Sequence, residues 1–134
     1  ANHELMVRLR AEKVAKIADR YKPIRLDSGP EQGELLIVGW GSTYGAIRTA
    51  ALQLQGEGQS VAHVHIRHLF PFNKGLGPLL KKYKKVLVPE MNSGQMRQLL
   101  RAEFLVDAQG LNKIQGMPFT SEEIRAAALK LLKQ

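Results

Sequence analysis

Glu34-Leu35-Leu36-Ile37-Val38-Gly39-Trp40-Gly41-Ser42-Thr43-Tyr44-Gly45 decides the fold. Leu35 to Val38 is a continuous apolar run without polar alternation, the pattern of a strand buried on both faces. A glycine-rich turn follows directly. Beyond it Ala46, Ile47, Ala50, Ala51 and Leu54 recur on one helical face, and Gly56 and Gly58 stop that helix. A strand, a tight turn and an amphipathic helix are the first half of a βαβ unit.

Downstream the same alternation repeats. Val61 to Ile66 reads as a second strand. Asn73 to Tyr83 reads as a helix with Leu76, Leu79, Leu80 and Tyr83 inward. Val86-Leu87-Val88 is a third buried strand, and Met96, Leu99, Leu100 and Phe104 mark the next helix. Asn112 to Gln115 reads as a last short strand. Thr120 and Glu123 stand at capping-box spacing before a final helix with Ile124, Ala127, Ala128, Leu131 and Leu132 on its buried stripe. Upstream, residues 3–20 form a charged helix with a weak apolar stripe (Leu5, Met6, Leu9, Val14, Ile17). Tyr21 to Asp27 reads as a short edge strand, where Pro23 is tolerable, and Ser28-Gly29-Pro30 and Gly33 mark a loop. Short connections between alternating elements imply right-handed crossovers and a mainly parallel sheet covered on both faces. The expectation is one three-layer α/β domain over 1–134, with 1–20 as a leading helix from a preceding linker region and 21–134 as the domain proper.

At 134 residues the chain suits one domain with a real core. It contains no cysteine, so it can supply neither a disulfide nor a thiolate ligand or nucleophile. No apolar run is long enough to cross a bilayer, and the start lacks a signal-peptide pattern. These features lead us to expect a cytoplasmic protein without membrane partners. Lys and Arg outnumber Asp and Glu by 20 to 12, giving a net charge of +8, which raises the question of an anionic partner. The cations are scattered, apart from Lys81, Lys82, Lys84 and Lys85, and no RNA-recognition signature or arginine-rich tract accompanies them. Nucleic acid is therefore not the expected partner.

Three groups could carry chemistry. Gly41, Ser42 and Thr43 lie between a strand and a helix, where free amides attract anions. The spacing Gly-x-Gly-x-x-x-Gly is neither the dinucleotide fingerprint nor a Walker loop, and a plain turn with Ser42 or Thr43 capping the helix fits equally. His63, His65 and Arg67 share one face of a strand. Two histidines at that spacing can chelate a metal, but a third ligand is not evident, so no metal site is expected. Arg67 stands where the strand exits, the position at which open α/β sheets place ligands, and is the better candidate for ligand binding, with His65 beside it. Glu90, Asn92 and Gln95 follow a buried strand. Their carboxylate and two amides read as exposed together on one loop and suited to a subunit contact. For Glu90 itself the reading is interface or buried hydrogen-bond duty, with a catalytic acid or base as the sharper alternative.

GELLIVGWGSTYGAIRTA (33–50), VAHVHIRHLFPFNKGLGPLLKKYKKVLVPEMNSGQMRQLLR (61–101) and NKIQGMPFTSEEI (112–124) resemble the C-terminal part of the alpha subunit of 2-oxoglutarate, or 2-oxoacid, ferredoxin oxidoreductases. LMVRLRAEKVAKIA (5–18) resembles the segment preceding it. HIRHLFPF followed by KVLVPE is more distantly similar to the C-terminal domains of transketolases and of 2-oxoacid dehydrogenase beta subunits. The resemblance implies a transketolase C-terminal-like fold: a five-stranded sheet in order 1-3-2-4-5, with an antiparallel first strand at Ile24 to Leu26. It implies an enzyme that decarboxylates a 2-oxoacid with thiamine diphosphate and magnesium, transfers the acyl group to coenzyme A and passes electrons through an iron–sulfur cluster to ferredoxin. None of those cofactors is expected on this chain. The implied role is non-catalytic assembly with the rest of the alpha subunit and with the beta subunit. The alternative is a small anion- or nucleotide-binding regulatory module built on the turn from Gly39 to Gly45.

Overall fold

The apolar run Leu35–Val38 forms the middle of strand β1 (Gly33–Trp40) in a computed structural model that describes residues 2–91, 93–113 and 116–134. All four residues are fully buried, and they divide by parity. Leu36 and Val38 pack with Ala62, Val64, Leu76, Leu80, Val88 and Leu100 on one side. Leu35 and Ile37 pack with Ile47, Ala51, Leu54, Leu87, Ile124 and Ala128 on the other. Each such side chain contributes about 1.5–3 kcal/mol by leaving water, so this strand is the keel of the fold.

Strands β2 (Val61–Ile66), β3 (Tyr83–Glu90) and β4 (Ala108–Asn112) join β1 in one parallel sheet of order β2-β1-β3-β4. Helix α1 (Asn2–Asp19) precedes the sheet, α2 (Tyr44–Gly56) follows β1, and α3 (Leu76–Leu80) and α4 (Gln95–Phe104) flank β3. Helix α5 (Ser121–Leu132) closes the chain, opened by a complete capping box between Thr120 and Glu123. Helices α2 and α5 cover one face of the sheet, α3 and α4 the other.

Among the described residues the sheet has four strands, not the expected five, and Ile24 to Leu26 do not form the expected antiparallel first strand. Its segment runs beside the outer edge of β2 but pairs there at one isolated antiparallel bridge, Ser28 to His63. The cause lies in the side chains. The amide of His65, the next donor along that edge, donates to Asp27 Oδ2 at 2.9 Å, and the carbonyl of His65 accepts from Arg67 at 3.0 Å. Pro23 has no amide to offer. With both edge groups of His65 occupied, Ile24 to Leu26 have no ladder to join, and Ile24 and Leu26 instead pack on the core.

Two further boundaries differ. The helix expected over Asn73–Tyr83 spans only Leu76–Leu80, because the Asn73 side chain accepts from the Gly75 amide as a turn and Tyr83 already pairs with β1. The final strand begins four residues before the expected Asn112, at Ala108. Only Ala108 of that strand is fully buried, so it carries little apolar pattern; the Ile114 and Gln115 portion of the expected strand lies outside the described residues. Lys84 and Lys85 consequently sit on β3. Lys84 pairs with Glu34 at 3.1 Å, and Lys85 donates to the carbonyls of Leu131 and Gln134 at the end of α5, where a cation complements the helix dipole.

Candidate functional site

All four strands run parallel, so β1, β2 and β3 deliver their carboxyl ends to one edge of the sheet. Trp40 ends β1, Ile66 ends β2 and Glu90 ends β3. Helix α4 starts after Gly94, whose φ of +92° is left-handed and suits glycine, and no side chain of its own caps it. Its first amides would be orphaned. Glu90 supplies the acceptors from the end of β3. The amide of Met96 donates to Oε1 at 2.7 Å and that of Arg97 to Oε2 at 3.1 Å, while the Trp40 indole donates to Oε1 at 3.3 Å. A carboxylate at a helix start also meets the positive end of the dipole.

Glu90 is only 1% exposed. The expectation of an exposed loop presenting Glu90, Asn92 and Gln95 together is corrected for Glu90, which points inward because α4 requires its oxygens. Gln95 is exposed at the first position of α4, and Asn92 lies outside the described residues.

At the end of β2, Asp27 organises the site. Besides the His65 amide it holds Arg67, at 3.2 Å between Nη2 and Oδ1. Arg67 is thus engaged with this chain's own carboxylate and carbonyl. His63 and His65 point from β2 toward Tyr44, whose ring stands 5.5 Å and 5.1 Å from theirs. His63 is fully buried, and neither ring nitrogen has a hydrogen-bond partner among the described residues. Desolvation pushes its pKa down to about 4, against the pull of Asp27. His65 is lowered as well, first by burial and then by Arg67. Among the described residues no group of three or more His, Asp or Glu could hold a metal ion.

The turn between β1 and α2 winds as one 3-10 turn, Gly41–Thr43, with Gly41 at φ +63°. Ser42 is exposed and Thr43 buried. Neither caps α2 with its side chain; the Thr43 hydroxyl donates backward to the Trp40 carbonyl at 3.1 Å. The parallel register brings this turn beside the end of β2, with Gly39 opposite His65. Gly41, Ser42, Thr43, His65 and Arg67 therefore share one edge with Glu90, but Arg67 and Glu90 are committed to internal partners.

Asp27, Trp40 and Tyr44 complete this edge, and sequence reasoning singled out none of them for a role. Trp40, the only tryptophan, sits where a buried strand ends, a position from which its N–H needs a partner. Asp27 is the first acid after a basic stretch, Arg20 to Arg25, but nothing local shows that it reaches His65.

Residues 33–124 match the profile of pyruvate:ferredoxin oxidoreductase core domain II. The chain is 44% identical over 123 residues to the 2-oxoglutarate oxidoreductase subunit KorA of Mycobacterium tuberculosis, an alignment covering 92% of this chain and 18% of that subunit. Among solved structures it is similar to the 2-oxoglutarate:ferredoxin oxidoreductase of Magnetococcus marinus, determined with 2-oxoglutarate, coenzyme A and succinyl-CoA bound. The TM-score is 0.88 and the identity 33%, over 98% of this chain and 23% of that one. A split-gene transketolase shares the fold, with a TM-score of 0.61 at 21% identity over 85% of this chain and 43% of that one. The chain thus spans about a fifth of the length of the Mycobacterium tuberculosis subunit and of the Magnetococcus marinus chain.

Proposed function

The chain belongs to the pyruvate:ferredoxin oxidoreductase core domain II family, and on that premise we propose that it is the assembly domain of a 2-oxoglutarate:ferredoxin oxidoreductase alpha subunit. The observation that carries this reading is the match to the Magnetococcus marinus enzyme along 98% of the chain, leading helix included. The complete enzyme would oxidatively decarboxylate a 2-oxoacid to its coenzyme A ester and deliver electrons to ferredoxin. We place it in the cytoplasm; no helix among the described residues is long and apolar enough to cross a membrane.

The residues of this chain do not fit the cofactors of that reaction. An iron–sulfur cluster needs thiolates, and there are none. The magnesium that accompanies thiamine diphosphate needs converging oxygen ligands, whereas Glu90 serves backbone amides of α4 and Asp27 the His65 amide of β2. The catalytic groups belong to other parts of the enzyme. This chain offers surfaces to them: α1 leaves every side chain from His3 to Ile17 exposed, including Leu5, Met6, Leu9, Val14 and Ile17. A helix with an uncovered apolar stripe calls for a partner, and we assign that place to the remainder of the alpha subunit or to the beta subunit. Gln95, exposed at the first position of α4, is the polar contact we propose beyond β3.

The test compares two preparations for 2-oxoglutarate-dependent dye reduction with thiamine diphosphate, magnesium and coenzyme A. The complete two-subunit enzyme should turn over and the 134-residue chain should not. Turnover by the chain alone, lost on a single substitution within it, would overturn the assembly role.

A further inference from the structure

Between residues 20–27 and the carboxyl end of β2 runs a groove of about 850 Å³, on the α3 side of the sheet. This is within the usual size of small-molecule sites. Its floor is apolar, made by Ile24, Leu26, Ile66 and Leu76. Its walls are braced. The rings of Tyr21 and His68 stack at 3.7 Å and 8°, tying the segment to the exit of β2, and the Asn73 side chain donates to the Lys22 carbonyl at 2.8 Å.

The rim is cationic. Arg20, Lys22 and Arg25 line it without a carboxylate partner among the described residues. Asp27, the one acid in the lining, is spent on His65 and Arg67. Three unpaired cations around one concavity focus a positive potential into it, and the apolar floor beneath them suits a flat, weakly polar group. A simple anion would satisfy the rim and leave the floor wet. We propose that this groove binds a nucleoside polyphosphate, with its phosphates on Arg20, Lys22 and Arg25 and its base on the floor. The Gly41–Thr43 turn takes no part, and the site stands independently of the assembly role.

The experiment is calorimetric titration of the 134-residue chain with adenosine diphosphate, pyrophosphate and adenosine. The diphosphate nucleoside should saturate one site and bind more tightly than either half alone. Coenzyme A contains an adenosine diphosphate that bears a 3′-phosphate and pantetheine; its affinity relative to the free nucleotide distinguishes an acyl carrier from a regulator as the source. Lys22→Glu and Arg25→Glu should each weaken nucleotide binding at least about tenfold, because a like charge then faces the phosphates. Lys130→Glu, an equal charge change on α5 across the sheet, should leave binding nearly unaltered. No saturation at millimolar adenosine diphosphate overturns the proposal, and so does equal weakening by Lys130→Glu, which would reveal attraction to net charge alone. If the rim variants misfold by circular dichroism, acetylation of the unaltered chain decides: the nucleotide must protect Lys22 and not Lys130.

Discussion

The indole N–H of Trp40 and the carboxylate of Glu90 meet at 3.3 Å, joining the ends of β1 and β3 under the first turn of α4. One buried carboxylate thereby holds two strands and a helix. Glu90→Ala leaves the Met96 and Arg97 amides without their acceptors, at a cost of about 1–3 kcal/mol each. We expect a loss of about 3 kcal/mol or more in urea unfolding, and a smaller loss for Glu90→Gln, which keeps one oxygen. A variant as stable as the parent would show that α4 does not depend on this acceptor.

His63 gives the domain an acid sensitivity whose sign follows from its lowered pKa. Folded, it resists protonation until about pH 4; unfolded, it takes a proton near 6.5. Its contribution to stability is complete above 6.5 and is lost as pH falls toward 4, since the unfolded chain then binds the extra proton. Neither nitrogen has a hydrogen-bond partner among the described residues, so His63→Leu should cost little at pH 7.5 and should flatten the stability profile between pH 6.5 and 4. Thermal melts across that range read the difference; parallel profiles for parent and variant would assign the acid sensitivity elsewhere.

Asp27 and Arg67 are unequal partners. Arg67 is largely exposed, and its ion pair is worth about 0.5 kcal/mol. Asp27 is mostly buried and also accepts the His65 amide, so Asp27→Ala should cost on the order of 1–2 kcal/mol. Hydrogen exchange at the His65 amide should accelerate in Asp27→Ala and change little in Arg67→Ala. The reverse order would mean that the arginine, not the carboxylate, closes this edge.

Two glycines separate backbone conformation from space. Gly41 and Gly29 both have positive φ, +63° and +95°, but a Cβ on Gly41 meets nothing within 4 Å while one on Gly29 comes within 2.4 Å of the Val61 carbonyl. Gly41→Ala should cost about 1 kcal/mol for the left-handed backbone alone. Gly29→Ala should cost clearly more, because the loop must leave β2. Equal midpoints in urea would contradict the close approach.

The βαβ alternation from Glu34 onward is legible because buried parallel strands write themselves as unbroken apolar runs, as Leu35–Val38 and Val86–Val88 do. Strand β4 is less legible: Gln109 and Gly110 pair with β3 through backbone atoms, which any residue supplies. The missing fifth strand shows the limit most clearly. Ile24 to Leu26 has strand composition, but whether it pairs is decided by a carboxylate and a guanidinium that meet across 40 residues of chain. Candidate site residues were legible as positions at strand ends and illegible as roles, since Glu90 looks the same in sequence whether it faces water or α4.

The substitution of a carboxylate for a strand at the edge of β2 bears on how these molecules behave at high concentration. A sheet edge with open amides and carbonyls is a template on which another molecule's chain can be laid, and repeated addition leads to polymers. A fifth strand would only have moved that template one position outward. Asp27 and Arg67 cap the edge at His65 with groups that cannot propagate it, and an incoming chain would have to displace a charged hydrogen bond before pairing there. Growth of the sheet at that rung is terminated chemically, by two side chains.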